Sequence, residues 1–216
     1  MNSICSASNG AGSNADNECP PGYSANPRPT WFENAKSALK EGVFTVNFKA
    51  GTAGYYSFGH IDDAAYNGDL HYIHINNSKG FWQFPSTQYR VGKTGKYKPY
   101  TGTDGIADSG TSLLLLTPSV VDAYYKDVKG IKKDSTGYTF PCSSALPDFE
   151  IAMDDYVALV PGKVVNYAPT SDPKTCYGGI QSNNGQGPQI FGDILFKAVF
   201  AVFDYDGLRL GLAPHA

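Results

Sequence analysis

The chain has 216 residues, 41% of them apolar, which is enough to form the core of one large all-β domain or two small ones. Charged residues make up only 17% and the formal net charge is −3, so there is no basic field for nucleic acid or anionic lipid, while abundant Tyr, Phe and Gly suit an aromatic-rich β-protein. No apolar run approaches membrane-spanning length, and the start, Met1-Asn2-Ser3-Ile4-Cys5-Ser6, has neither the charged n-region nor the apolar h-region of an export signal.

Residues 1–29 are rich in Ser, Asn, Gly and Pro without periodicity and read as an irregular, flexible lead-in; residues 30–216 read as the folded unit. Cys5 and Cys19 lie in the lead-in. They are open to a local disulfide, to remaining as thiols, or to pairing elsewhere, since four cysteines allow three connectivities. From Thr30 the string Thr30-Trp31-Phe32-Glu33 starts a helix running to Leu39, with Thr30 as N-cap and Glu33 at the capping-box position. Two-residue alternation then takes over in Val43 to Phe48. Strands are expected at Tyr55 to Ile61, Leu70 to Ile75, Phe81 to Phe84 and Thr87 to Val91, separated by Gly, Asn, Asp and Pro breaks.

His71 and His74 are three apart on a strand, so they face opposite sides and cannot converge on one ion. Asn76-Asn77-Ser78 is a glycosylation sequon, meaningful only in an exported chain. Phe81-Trp82-Gln83-Phe84 puts large rings and an amide on one strand, which by itself reads as ordinary core.

Gly105-Ile106-Ala107-Asp108-Ser109-Gly110-Thr111-Ser112, followed by Leu113, Leu114, Leu115 and Leu116, is the organising stretch. An apolar strand delivers one carboxylate into a tight turn, and a second apolar strand leaves it. A carboxylate between buried segments is costly unless donors surround it; Ser109, Thr111 and Ser112 offer hydroxyls, and Gly110 lets backbone N–H groups come close. Taken alone, the string also fits an Asx-turn between two strands. Thr117-Pro118 opens a helix to Gly130 with Val120, Val121, Tyr124 and Val128 on one face, a rod behind the Asp108 turn. Further strands are expected at Phe149 to Ala152, Tyr156 to Val160 and Cys176 to Ile180, and a hairpin of residues 198–203 and 208–212 turns at Asp204-Tyr205-Asp206-Gly207. Asp193 reads as a cap on a short helix, Ile194 to Phe196. Asp104, Asp204 and Asp206 read as turn acids.

A second stretch changes the reading of the first. Ile190-Phe191-Gly192-Asp193-Ile194-Leu195, two apolar residues before a glycine far downstream of an Asp-Ser-Gly-Thr turn, resembles the second half of the psi-shaped loop in each lobe of pepsin-like aspartic proteases. The resemblance runs from about Trp31 to the end. It is strongest to the C-terminal half of the fungal secreted members, the penicillopepsin and aspergillopepsin type. It implies an all-β, mainly antiparallel lobe with few short helices, and peptide hydrolysis at acidic pH by paired aspartates. Asp108 is the catalytic residue it implies, with Ser109, Gly110, Thr111, Ser112, Ile190, Phe191 and Gly192 supporting the loop. It also implies a substrate pocket with Phe81 and Ile106 near the side chain just beyond the scissile bond, and a disulfide between Cys142 and Cys176. No metal or cofactor is implied. Pairing of Cys142 with Cys176 points to an oxidising compartment, hence to secretion, in tension with the missing signal segment.

Two-lobed members carry an Asp-Thr-Gly or Asp-Ser-Gly in each lobe, and the first lobe adds a hairpin flap. Only one such turn is present here, because Thr101-Gly102-Thr103-Asp104-Gly105 and Tyr205-Asp206-Gly207 lack the order and the following apolar strand. Three readings follow: a C-terminal lobe active only with an N-terminal lobe, a homodimer in which each copy lends Asp108, or a catalytically silent secreted module that binds peptide or glycan. A peptide or protein is the expected substrate, with no nucleic acid or membrane partner. Without the other half, apolar faces or open strand edges are expected to lie exposed.

Overall fold

The computed structural model describes residues 29–100 and 104–216 in full, and before them only the backbone of the short strands Ser3–Ala7, Gly10–Ala11 and Ser24–Pro27. The expectation for the lead-in therefore falls largely outside the described residues, as do the side chains of Cys5 and Cys19 and the segment 101–103.

The fold is mostly antiparallel β with a few short helices, as the resemblance implies. One five-stranded sheet runs in the order Thr52–Phe58, Val43–Lys49, Val199–Asp204, Arg209–Pro214, His71–His74. Its centre is the strand Val199–Asp204, buried at every position because both neighbours and both faces are covered. Alternation in Phe149–Met153 and Tyr156–Val160 sets the register of another sheet: Phe149, Ile151, Met153, Tyr156, Ala158 and Val160 are buried, while Val157 and Leu159 face out. A third sheet joins Lys132–Asp134, Gly137–Pro141, Thr175–Gly178 and Asn166–Pro169, and the disulfide Cys142–Cys176 ties its margin across a sequence separation of 34.

The second five-stranded sheet carries the stretches singled out in the sequence. Its order is Ile180–Ser182, Leu114–Leu116, Gln189–Phe191, Gly105–Ala107, Gln83–Phe84. Two of its pairings are parallel, Gly105–Ala107 with Gln189–Phe191 and Leu114–Leu116 with Ile180–Ser182. Gln189–Phe191 thus passes between the two strands that flank the Asp108 turn, which gives the psi shape. Behind them lies the helix Pro118–Tyr125, which buries Val120, Val121, Tyr124 and Tyr125. The Tyr124 hydroxyl donates to the Pro147 carbonyl at 2.8 Å and the Tyr125 hydroxyl to that of Ile180 at 2.9 Å, so two large rings enter the core without stranding their polar ends.

Several boundaries differ from expectation. The helix at Pro118 stops at Tyr125 rather than at Gly130, although Val128 is still buried. Its Thr117 cap makes no side-chain bond. The helix at Trp31 is α-helical to Ala35 and finishes as a 3₁₀ turn, Lys36–Ala38. The strand expected from Phe81 is confined to Gln83–Phe84, because Gly80, with a φ of 79°, turns the chain just before it and leaves Phe81 outside the ladder, while the Trp82 carbonyl still accepts the Ala107 N–H at 3.0 Å. The strand expected from Tyr55 to Ile61 is Thr52–Phe58; it ends at Gly59, also left-handed.

Candidate active site

Asp108 follows the strand Gly105–Ala107, and its own N–H donates to the Phe191 carbonyl at 3.1 Å, fixing where the backbone leaves the sheet. The half-buried carboxylate then receives two donors: the Gly110 N–H reaches Oδ1 at 2.9 Å and the Thr111 hydroxyl reaches Oδ2 at 2.7 Å. Hydrogen bonds to both of its oxygens hold the orientation of the carboxylate. The hydroxyls of Ser109 and Ser112, offered by the sequence as further donors, make no bond to it. Ser112 contributes through its backbone carbonyl, which accepts the Ile194 N–H at 3.3 Å, and Ser109 lines a neighbouring cavity.

The other half of the site is a backbone latch. N–H groups of Gly192 and Asp193 donate to the carbonyls of Leu113 and Thr111 at 3.1 and 2.8 Å. Three successive amides of the Gly192-Asp193-Ile194 turn thus grip the chain just past Asp108. A methyl at Gly192 would overlap the Thr111 and Leu113 carbonyl oxygens, so this approach requires glycine. At Gly105 an added methyl would enter the Phe191 ring. The residues expected to support the loop, Ile190, Phe191 and Gly192 on one side and Gly110 and Thr111 on the other, are brought together around Asp108.

Asp193 departs from its expected role. Gly192 is the N-cap of the helix Asp193–Phe196, and Asp193 is its first residue, making no capping bond with its side chain. Its Oδ1 is buried without a hydrogen-bond partner. Burial raises its pKa; Lys197 works against that rise and the nearby Asp108 adds to it. Its position directly after the close-approach glycine was the available signal, but a glycine N-cap looks the same in sequence as a capping aspartate one residue later.

Phe81 is 36% exposed and stands with Trp82, Phe32, Phe44, Tyr205 and Ser109 around a cavity of about 410 Å³. Ile106 is buried in its strand and is not among the residues lining that cavity. The polar side of the cavity comes from Thr30 and Glu33, a pair the sequence explains as a helix cap. The Thr30 hydroxyl accepts the Glu33 N–H at 3.1 Å, and a Glu33 carboxylate oxygen accepts the Thr30 N–H at 2.6 Å. The other Glu33 oxygen accepts the Tyr205 hydroxyl at 2.5 Å, and this bond first, the Thr30 N–H second, lowers the Glu33 pKa. Nothing in the local string at Glu33 marks a partner 172 residues away. His71 and His74 are both exposed, and among the described residues no three His, Cys, Asp or Glu side chains converge on a metal position.

Comparison with known proteins meets this geometry. A model of the eukaryotic aspartyl protease family matches residues 21–215. The chain belongs to the eukaryotic aspartyl proteases. Among relatives, it is 46% identical to penicillopepsin-1 of Talaromyces stipitatus over 195 residues, covering 89% of this chain and 49% of that one. Penicillopepsin-1 of Penicillium janthinellum is 48% identical over 189 residues, covering 87% and 57% respectively. Aspergillopepsin-1 of Aspergillus fumigatus is 46% identical over 196 residues, covering 89% and 49%. The chain spans about half the length of the curated relatives it matches. The sheet containing Asp108 and the Gly192 latch lies wholly within the matched residues.

Proposed function

We propose that this chain is the half of a secreted fungal aspartic endopeptidase that carries Asp108, and that Asp108 acts as one of two carboxylates activating water against a peptide bond. The observation that carries the reading is the pair of donors on Asp108, the Gly110 N–H and the Thr111 hydroxyl, held at the crossing of the two stretches by the Gly192 latch. Two carboxylates about 3 Å apart cannot both ionise cheaply and so share one proton. The ionised member takes a proton from water while the protonated one polarises the scissile carbonyl; water's oxygen adds to the carbonyl carbon and the amine leaves with a proton. Loss of the shared proton at high pH stops the cycle, so activity belongs to acidic pH.

The second carboxylate comes from an N-terminal lobe or, as the second reading, from another copy of this chain. What supports a partner of either kind is the strand Thr52–Phe58, which stands at the edge of its sheet with Tyr55, Tyr56 and Phe58 exposed. The Cys142–Cys176 bond supports passage through an oxidising compartment. The cavity beside Phe81 then accepts the substrate side chain just beyond the scissile bond, with Ser109 joining it to the Asp108 turn.

The test is cleavage of a protein substrate at acidic pH by this chain, with its mass in solution measured alongside. Activity blocked by pepstatin-type inhibitors, present only in a two-lobed assembly and lost in Asp108→Asn is expected. Digestion by a strict monomer, or digestion that survives Asp108→Asn, overturns the reading. Inactive protein that binds peptides equally well as Asp108→Asn would instead make it a silent binding module.

A further inference from the structure

We propose that Asn76 is an N-glycosylation site, and that its glycan stands at the rim of the cavity bearing Phe81. Asn76-Asn77-Ser78 is the single Asn-X-Ser/Thr sequence in the chain. All three residues are exposed, in the connection between the strands His71–His74 and Gln83–Phe84. The Asn76 Oδ1 accepts the Ser78 N–H at 3.0 Å, so the side chain folds toward the serine two residues on, as an Asx-turn. Its Nδ2 makes no hydrogen bond among the described residues and is free to act as the nucleophile.

The backbone keeps this turn in one place. The Asn76 N–H donates to the Gln83 carbonyl at 2.7 Å, and the Gly80 N–H donates to the Asn77 carbonyl at 2.8 Å. Asn77, Gly80 and Phe81 all line the cavity, so a glycan on Asn76 rises beside its mouth rather than on a remote face. The apolar surface it would screen is the exposed ring of Phe81.

In the reaction, Nδ2 of Asn76 attacks the anomeric carbon of an oligosaccharide linked to a polyprenyl diphosphate. The C–N bond forms, the bond from that carbon to the diphosphate oxygen breaks, the lipid diphosphate leaves with the electron pair, and one amide proton passes to a base of the transferase. The proposal rests on the export reading above. The full chain is therefore expressed in yeast behind a cleavable leader, so that entry to the secretory lumen is imposed, and the leader-free chain is weighed in cells and medium.

One discrete mass increment is expected, removed by peptide N-glycosidase with deamidation at Asn76. It disappears in Ser78→Ala, which leaves the Asn76 side chain and the Ser78 N–H in place, and persists in Ser78→Thr. Leader-free chain without the increment, in both the parent and Ser78→Thr, overturns the proposal and leaves the export reading untouched. An increment that survives in Ser78→Ala also overturns it.

Discussion

Two residues beside Asp108 carry more of the site's organisation than their side chains suggest. Gly192 lets the amides at the start of the last short helix reach the carbonyls just past the Asp108 turn. In Gly192→Ala the added methyl must displace two carbonyl groups, and overpacking of this kind costs about 1–3 kcal/mol. Urea unfolding should show a lower midpoint with an unchanged slope, and an assembled enzyme should lose activity because the Asp108 turn shifts. Asp193 acts through its charge. A carboxylate whose pKa is raised in the folded state, here first by burial, stabilises the fold fully below its unfolded value of about 3.9 and loses that contribution as pH rises through the folded value. Asp193→Asn, which has no charge to bury, should match the parent at pH 3 and exceed it at pH 7 when unfolding midpoints are compared. An equal difference at both pH values would show that the carboxylate is not burdened by its burial.

At the scale of elements, the disulfide offers the clearest measurement. Closing a loop across 34 positions restricts the unfolded chain by roughly 3–4 kcal/mol in the chain-entropy view. The double substitution Cys142→Ser with Cys176→Ser should lower stability by about that much in denaturant titration, leaving the Asp108 sheet, to which neither cysteine belongs, with its near-native signature. What was legible in sequence follows from periodicity and caps. The strand at Val43 to Phe48, the capping box of Thr30 and Glu33, and the apolar strands flanking Asp108 all use local rules, and the structure carries them, although Thr45 and Asn47 are buried where an alternating strand would turn them outward. The strands Lys98–Pro99 and Lys132–Asp134 gave no such signal, because both are exposed and polar. They are strands only by virtue of the neighbours they pair with. The same limit explains the site. The Asp-Ser-Gly turn and the distant Ile-Phe-Gly were visible as strings, but that amides of one close on carbonyls of the other, or that Glu33 meets Tyr205, depends on tertiary approach.

At the scale of the whole molecule, one surface is left poorly protected. The edge strand Thr52–Phe58 contains no charge and no proline, and Trp31, Tyr55, Tyr56 and Phe58 expose their rings along it. Natural edges are usually blunted by lysine, proline or a covering loop, and an open aromatic edge pairs with whatever strand it meets. The isolated chain should therefore self-associate as concentration rises. Tyr56→Lys, which puts a charge on the open edge, should shift sedimentation toward the monomer. If Tyr56→Lys and the parent sediment alike across the same concentrations, this edge is not the contact.

The central strand of the first sheet has a consequence for how the molecule comes to exist. Val199–Asp204 pairs on one side with Val43–Lys49 and on the other with Arg209–Pro214, so strands from opposite ends of the described fold are neighbours. Contacts between such distant parts of a chain form slowly, since a long loop must close before they reward it. During synthesis the strand Val43–Lys49 has only its hairpin neighbour, Thr52–Phe58, among its sheet partners until Val199–Asp204 leaves the ribosome. Its buried side chains wait for a partner strand that follows only after the whole Asp108 turn has been made. Factors that shield nascent apolar segments thus have a long task on Val43–Lys49, well before Asp108 has a sheet to stand on.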